Sequence, residues 1–412
     1  MGIIYQIGIH FFILSLRIAS IFNLKIRAGL EGRKNWSSVL EDIPKNAHVI
    51  WFHCASLGEF DQGLPVMHAL KNKTPNAFIL VTFFSPSGME HYEKRKHPVD
   101  KALYLPFDTK INALTFIQKA KPKLAVFVKY EFWPNFILEC RTSNVKLVSI
   151  STLLRKNQIY FKRYGGFFAR ILKNIDYFFV QNEETKTLLE SIGIKDITLS
   201  GDTRYDRVLQ HKEAATETDS ILSNFSAKRP VLIVGSSWES EEKIIKQFLE
   251  SNPETKVIIA PHNIKRANIE RIETLIDQPT MRYTDFNEAH VERVLILDTI
   301  GHLSTAYQHA DYALIGGGFS GSLHNILEAA AFGLPVFFGP HHQKFPEAQS
   351  FIDTSIGFVV ENAQQLSEKI NTLGNKGELK QKIEDFIQSQ AGATDKIVNH
   401  SFVTNTLNRN KK

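Results

Sequence analysis

Apolar runs recur along most of the chain, each followed by a polar loop and then by an amphipathic stretch. HVIWFHCA (48–55), FILVTFF (78–84), LAVFV (124–128), KLVSI (146–150) and YFFV (177–180) form one series. VLIVG (231–235), KVIIA (256–260), VLILD (294–298), YALIG (312–316) and PVFFG (335–339) form a second. Strands alternating with helices predict a parallel sheet with helices on both faces. Between the two series, residues 211–229 are polar and carry no strong apolar period, as a linker would. The expectation is an α/β chain of two doubly wound domains, residues 25–210 and 230–412, joined by 211–229, with their strand ends facing across a cleft. Residues 1–24 stand apart as an apolar helix.

In such sheets chemistry collects in the loops after the carboxyl ends of strands. The first series offers Ser56-Leu57-Gly58-Glu59, Ser85-Pro86-Ser87-Gly88 and Tyr130-Glu131-Phe132-Trp133-Pro134 at those places. Two acids, Glu59 and Glu131, are thereby expected on one rim. A carboxylate there can act as a general base, but Glu59 also suits a helix cap and Glu131 a structural acceptor. The second series offers Ser236 and Ser237, then Pro261-His262-Asn263, and then a glycine turn, Gly316, Gly317 and Gly318 with Gly321 just after. His324 and Asn325 are expected to open a helix carrying Glu328 one turn on, closed by Gly333 and Pro335. Backbone N–H groups at a glycine turn and a helix start would suit a phosphate, and Asn325 with Glu328 could share a helical face. The same residues also make an ordinary strand-to-helix turn, and no GxGxxG is present.

Residues 3–22 are strongly apolar, interrupted by His10 and Arg17 and followed by Lys25, Arg27, Arg33 and Lys34. Positive charge after the apolar stretch, with none before His10, favours a cytoplasmic-side membrane anchor over a cleaved signal peptide. An apolar helix packed on the domain is the alternative. Lys and Arg number 49 against 43 Asp and Glu, a mild excess that suits nucleotides, phosphorylated lipids or a membrane surface. No nucleic-acid recognition motif accompanies it. Residues 155–170 mix Arg155, Lys156, Lys162, Arg163 and Arg170 with five aromatics, a face that could meet an anionic lipid surface or simply be solvated. The two cysteines, Cys54 and Cys140, lie in apolar runs and read as reduced core residues. His341 and His342 adjoin without metal spacing, so no metal ligand and no cofactor are expected.

Taken in order, ASLGE (55–59), SPSG (85–88), YLPFD (104–108), EFWPN (131–135), QNEE (181–184), LSGDTRYD (199–206), DTIGHL (298–303) and HNILEAAAFGLPVFFGPH (324–341) resemble the bacterial 3-deoxy-D-manno-octulosonic acid (Kdo) transferases. These are inverting glycosyltransferases of GT-B fold, with two Rossmann-like domains. The resemblance implies transfer of Kdo from CMP-Kdo to the lipid A precursor, lipid IVA, in lipopolysaccharide biosynthesis on the cytoplasmic side of the cell inner membrane. It implies Glu59 as catalytic base and Glu131 as an acceptor-handling acid. Ser236, Ser237, Gly317, Gly318, His324, Asn325 and Glu328 fall on the donor side, around the CMP.

The sequence departs from the family in several places, among them a loop before His324 about one residue shorter. Ser322-Leu323 precede His324 in place of two glycines, Thr152 replaces an arginine, leaving Arg155 or Lys156 as substitutes, and Pro261-His262-Asn263 stands where Pro-Arg-His is expected. Competing readings are another GT-B enzyme acting on a UDP-sugar, as transferase or 2-epimerase, and a non-catalytic, membrane-tethered nucleotide-binding protein. Retention of both Glu59 and Glu131 speaks for chemistry.

Overall fold

The computed structural model describes residues 2–215, 219–227, 229–288 and 292–408. The chain divides into two units, Met1–Arg207 with Gln390–Lys412, and Val208–Ser389. Each is built on a seven-stranded, wholly parallel sheet.

The first sheet comprises β1 (His48–Cys54), β2 (Ala77–Phe83), β3 (Lys101–Tyr104), β4 (Leu124–Val128), β5 (Lys146–Thr152), β6 (Tyr177–Val180) and β7 (Ile197–Leu199). Their order is β3-β2-β1-β4-β5-β6-β7. The chain thus runs outward from β1 to one edge, then returns to lay β4 on β1's other side. Such a switch point opens a crevice at the carboxyl ends of the two central strands. Successive β1 residues alternate between two cores. Trp51 packs with Phe116, Phe127 and Phe136 on one face, while Ile50, Phe52 and Cys54 pack with Phe60, Val81 and Phe83 on the other.

The second sheet holds β8 (Val231–Ser237), β9 (Lys256–Pro261), β10 (Thr280–Arg282), β11 (Val294–Ile296), β12 (Tyr312–Ile315), β13 (Val336–Phe338) and β14 (Gly357–Val359), ordered β10-β11-β9-β8-β12-β13-β14. Its switch point lies between β8 and β12.

Two expected boundaries shift. The last residues, expected in the C-terminal domain, belong to the first unit. Ile397, Val398 and Val403 are buried in the same core as Phe52, Phe60 and Val81, and Asp206 accepts hydrogen bonds from the Gly392 (2.5 Å) and Thr394 (2.6 Å) amides. The division between units falls at Arg207, inside the continuous helix Thr203–Ala214, and not in a polar linker. Part of the expected linker folds as the helix Ser220–Ser226, with Leu222 and Phe225 buried, while positions 216–218 and 228 lie outside the described residues.

The N-terminal helix, Gly2–Ala19, is long and apolar enough to cross a membrane, and Ile9 is its one buried residue. Ile3, Ile4, Ile7, Phe11, Leu14 and Ile18 are exposed. Two polar contacts tie it to the first unit: the Tyr5 hydroxyl donates to Asp108 (2.6 Å) and the Gln6 amide to Asn135 (2.7 Å). Cys54 and Cys140 are buried free thiols, and burial pushes both thiol pKa values up.

Candidate active site

Glu59 sits in the first turn of the helix Leu57–Lys73, directly after β1 at the switch point. Its carboxylate accepts the Ser56 amide (3.0 Å) and a short hydrogen bond from the Ser56 hydroxyl. The cap expected as the alternative to a catalytic role is therefore formed, and it fixes the rotamer of a carboxylate only 8% exposed. Glu131 leaves β4, the other strand of the switch. Burial, and then the Glu59 charge, push its carboxyl up to about 7. Two acids on neighbouring strands thus feel each other, and one of them keeps its proton near neutrality.

The residues around this pair are held by a buried network. Burial drives the His53 imidazole down to about 3, so it is neutral. Its Nε2 accepts the Trp133 indole N–H (3.1 Å), which leaves Nδ1–H to donate to the Thr82 hydroxyl (3.0 Å). The Trp133 ring also stacks on Phe84. Asp108 caps the helix Pro134–Thr142 from outside by accepting the Asn135 (3.0 Å) and Phe136 (3.1 Å) amides. The YLPFD and EFWPN stretches are thus one joint that aims the Glu131 loop, and His53 did not stand out in the sequence as part of the site. Thr152, in place of the expected arginine, is buried on Ser149. Arg155 is the nearby cation: its charge pulls the Tyr130 phenol down while burial and Glu59 push it up.

The same backbone device recurs in both units. Ser151 in β5 (φ 48°) and Ser236 in β8 (φ 54°) are left-handed at register shifts near the strand ends, and Lys129 after β4 is also left-handed (φ 73°). Non-glycine residues pay about 1–3 kcal/mol for such conformations, which gather at functional sites.

In the second unit the loops after β8 and β12 meet. Gly317 has φ +85°, and a Cβ there would stand 2.2 Å from the Ser322 carbonyl oxygen, so the turn admits only glycine. Its amide donates to Glu241 (2.9 Å), a carboxylate that also accepts the Trp238 amide (3.1 Å) and is wholly buried. Gly318 accepts the His341 amide through its carbonyl (2.8 Å). The Ser237 hydroxyl donates to Glu242 (2.9 Å), itself paired with Arg271, so its side chain is committed to the fold. Ser236 is half-buried.

The helix expected to open at His324 begins later, at Leu327, and ends at Ala331. His324 and Asn325 belong to the approach loop, where Asn325 Oδ1 accepts the Leu327 amide (3.2 Å) and its Nδ2 donates to Glu328 (3.0 Å). Asn325 and Glu328 are thus brought together by a direct hydrogen bond across the helix start. His324 accepts the Trp238 indole N–H (3.2 Å), and His262 stacks on Trp238 at 4.3 Å and lies 4.8 Å from His324. Burial, and then His262, push His324 down to about 4. A neutral stack of rings therefore occupies the place where an arginine was expected. His341 is exposed, whereas His342 is buried on Phe338, so the two diverge.

Residues 29–207 match the family described as 3-Deoxy-D-manno-octulosonic-acid transferase (kdotransferase). The 3-deoxy-D-manno-octulosonic acid transferase of Aquifex aeolicus is 26% identical over 343 residues, covering 81% of this chain and 88% of that one. The Haemophilus influenzae transferase is 26% identical over 350 residues, 81% of each. A bifunctional glycosyltransferase/methyltransferase of Fusobacterium nucleatum is 25% identical over 86% of this chain, which spans only 57% of that longer protein. Among solved structures, UDP-GlcNAc 2-epimerase from Neisseria meningitidis superposes with a TM-score of 0.62 at 16% identity, covering 88% of this chain and all of that one. Acinetobacter baumannii MurG gives 0.52 at 14%, covering 86% and 98%. These two share the GT-B fold with it. The two parallel sheets are of that type, and over about four fifths of its length the chain is similar to the Kdo transferases.

Proposed function

We propose that the protein transfers Kdo from CMP-Kdo to the lipid A precursor with inversion at the anomeric carbon. The observation that carries this reading is the Glu59–Glu131 pair at the switch point of the first sheet, where burial and then Glu59 push the Glu131 carboxyl up to about 7. Glu59 takes the proton from an acceptor hydroxyl as that oxygen bonds to the anomeric carbon. The bond from that carbon to the donor phosphate breaks on the opposite face, and CMP departs with the electron pair. The transition state is oxocarbenium-like, as in glycoside hydrolysis. Glu131, holding its proton, donates to the acceptor and adds no second negative charge.

On the donor side the Gly317 and Gly318 backbone, with Ser236, approaches the phosphate, and Glu328, oriented by Asn325, accepts from ribose hydroxyls. Ser237 acts through its backbone and through Glu242. His324, in the ring stack with Trp238 and His262, lines the nucleotide. The exposed N-terminal helix supports attachment to the cytoplasmic face of the inner membrane, where a lipid acceptor resides. A UDP-sugar enzyme of the same fold has no need of the Glu59–Glu131 pair.

The deciding assay combines purified protein, freshly generated CMP-Kdo and the lipid A precursor, with products weighed by mass spectrometry. Expected is an acceptor heavier by one or more Kdo residues and no product from UDP-sugars. Turnover of a UDP-sugar in place of CMP-Kdo would refute the reading.

A further inference from the structure

An apolar groove of about 470 Å³ runs beside the N-terminal helix, lined by Gly8, Ile9 and Phe12 of that helix and by Trp133, Phe167 and Phe168. Several features keep it open. The Tyr5 and Gln6 hydrogen bonds hold the helix at a fixed standoff. Gly8 contributes no side chain, and a Cβ at that position would meet nothing within 4 Å. Trp133 cannot swing inward, because its indole is held by His53 and stacked on Phe84.

The walls offer no polar handle. The Trp133 N–H is donated to His53, and the Tyr5 hydroxyl at the groove's edge is donated to Asp108. A peptide laid here would bury main-chain N–H and C=O groups without partners, at considerable cost. A hydrocarbon chain has no such groups. The same helix presents a separate exposed apolar face formed by Ile3, Ile7, Phe11 and Leu14, and Trp133 belongs to the loop that carries Glu131. Exposed cations, Lys156, Lys162 and Arg163, precede Phe167 and Phe168 in the chain and complement an anionic head group.

We propose that this groove takes one fatty acyl chain of the acceptor, so that recognition of the lipid tail and placement of the head group at Glu131 share a single residue, Trp133. The proposal rests on the acceptor reading above and adds the subsite for its tail.

The test uses the full chain in detergent and two variants of the same helix. Gly8→Phe fills the groove, while Ile7→Phe adds bulk on the exposed side, Ile7 being 65% exposed. The readout is the ratio of kcat/KM for the acylated acceptor to that for its fully deacylated glucosamine disaccharide bisphosphate. Gly8→Phe is expected to lower this ratio at least tenfold, and Ile7→Phe to keep the wild-type ratio. An unchanged ratio in Gly8→Phe, or an equal fall in both variants, overturns the proposal.

A second readout needs no turnover. A phospholipid with a brominated acyl chain should quench the Trp133 emission, isolated by difference from Trp133→Phe, in the wild type and in Ile7→Phe but not in Gly8→Phe. Quenching with that pattern and no transfer to either acceptor would leave the groove standing and sink the transferase reading. Equal quenching in all three proteins would remove the groove itself.

Discussion

Replacing Glu131 by Gln removes an ionisable group while keeping its size, and the structure dictates how stability should respond. The carboxyl is moved from 4.5 to about 7, chiefly by burial and secondly by Glu59. An acid whose pKa is raised on folding binds its proton more tightly in the native than in the unfolded state. Its contribution is fully present below 4.5 and is lost as pH rises through about 7. At about 1.36 kcal/mol for each tenfold change, the loss is about 2–3 kcal/mol once partial solvent contact is allowed for. Gln carries no such penalty. Relative to wild type, Glu131→Gln should therefore gain about 2–3 kcal/mol between pH 4 and pH 8. Urea unfolding at each pH, followed by tryptophan emission, measures this for the first unit, where Trp36, Trp51 and Trp133 reside. A stability difference that stays constant across that range would refute the assignment of a carboxyl titrating near 7.

Four further outcomes are expected. Glu59→Gln should bind CMP normally by calorimetry but lose about 10²–10⁴-fold in kcat, and near-normal turnover would remove Glu59 as the base. Glu328→Ala should weaken CMP binding about tenfold, the effect of roughly one good hydrogen bond to a charged group, and an unchanged Kd would exclude the ribose role. Gly317→Ala should destabilise the second unit by at least about 1–3 kcal/mol through backbone strain, visible as an earlier transition of the Trp238 emission; a wild-type midpoint would contradict the tight turn. Deleting residues 1–22 should release the protein from membranes, and a truncated chain that still sediments with them would rule out the helix as anchor.

Ten of the fourteen strands were legible as apolar runs, and the four that were not are the sheet edges: β3, β7, β10 and β14. An edge strand has a neighbour on one side only, and these four read KALY, ITL, TMR and GFV, each with a lysine, threonine or glycine among its few residues. The acids of the first sheet were legible because strand ends at a switch point expose their loops, whatever the sequence between. What could not be read was the support. His53 sits inside an apolar run like any core residue, and its value to Trp133 comes from a partner 80 positions away. The late start of the helix at Leu327 was also hidden, since Asn325 reads equally as a first-turn residue or as the residue before the cap, whose side chain accepts the Leu327 amide. The tail's partner was illegible for a different reason: apolar positions at 397, 398 and 403 show that something must cover them, but not which sheet.

That tail has a consequence in time. The first unit takes in both Met1–Arg207 and Gln390–Lys412, so the core that Ile397, Val398 and Val403 complete stays open while the whole second unit is being made. At translation rates of about 5–20 residues per second, the roughly two hundred intervening residues take on the order of 10–40 s. Throughout that interval the nascent sheet presents an apolar surface. The second unit, by contrast, is complete within its own stretch of chain. A chain stopped at Ser389 would leave the second unit complete and the first without the residues that close its core.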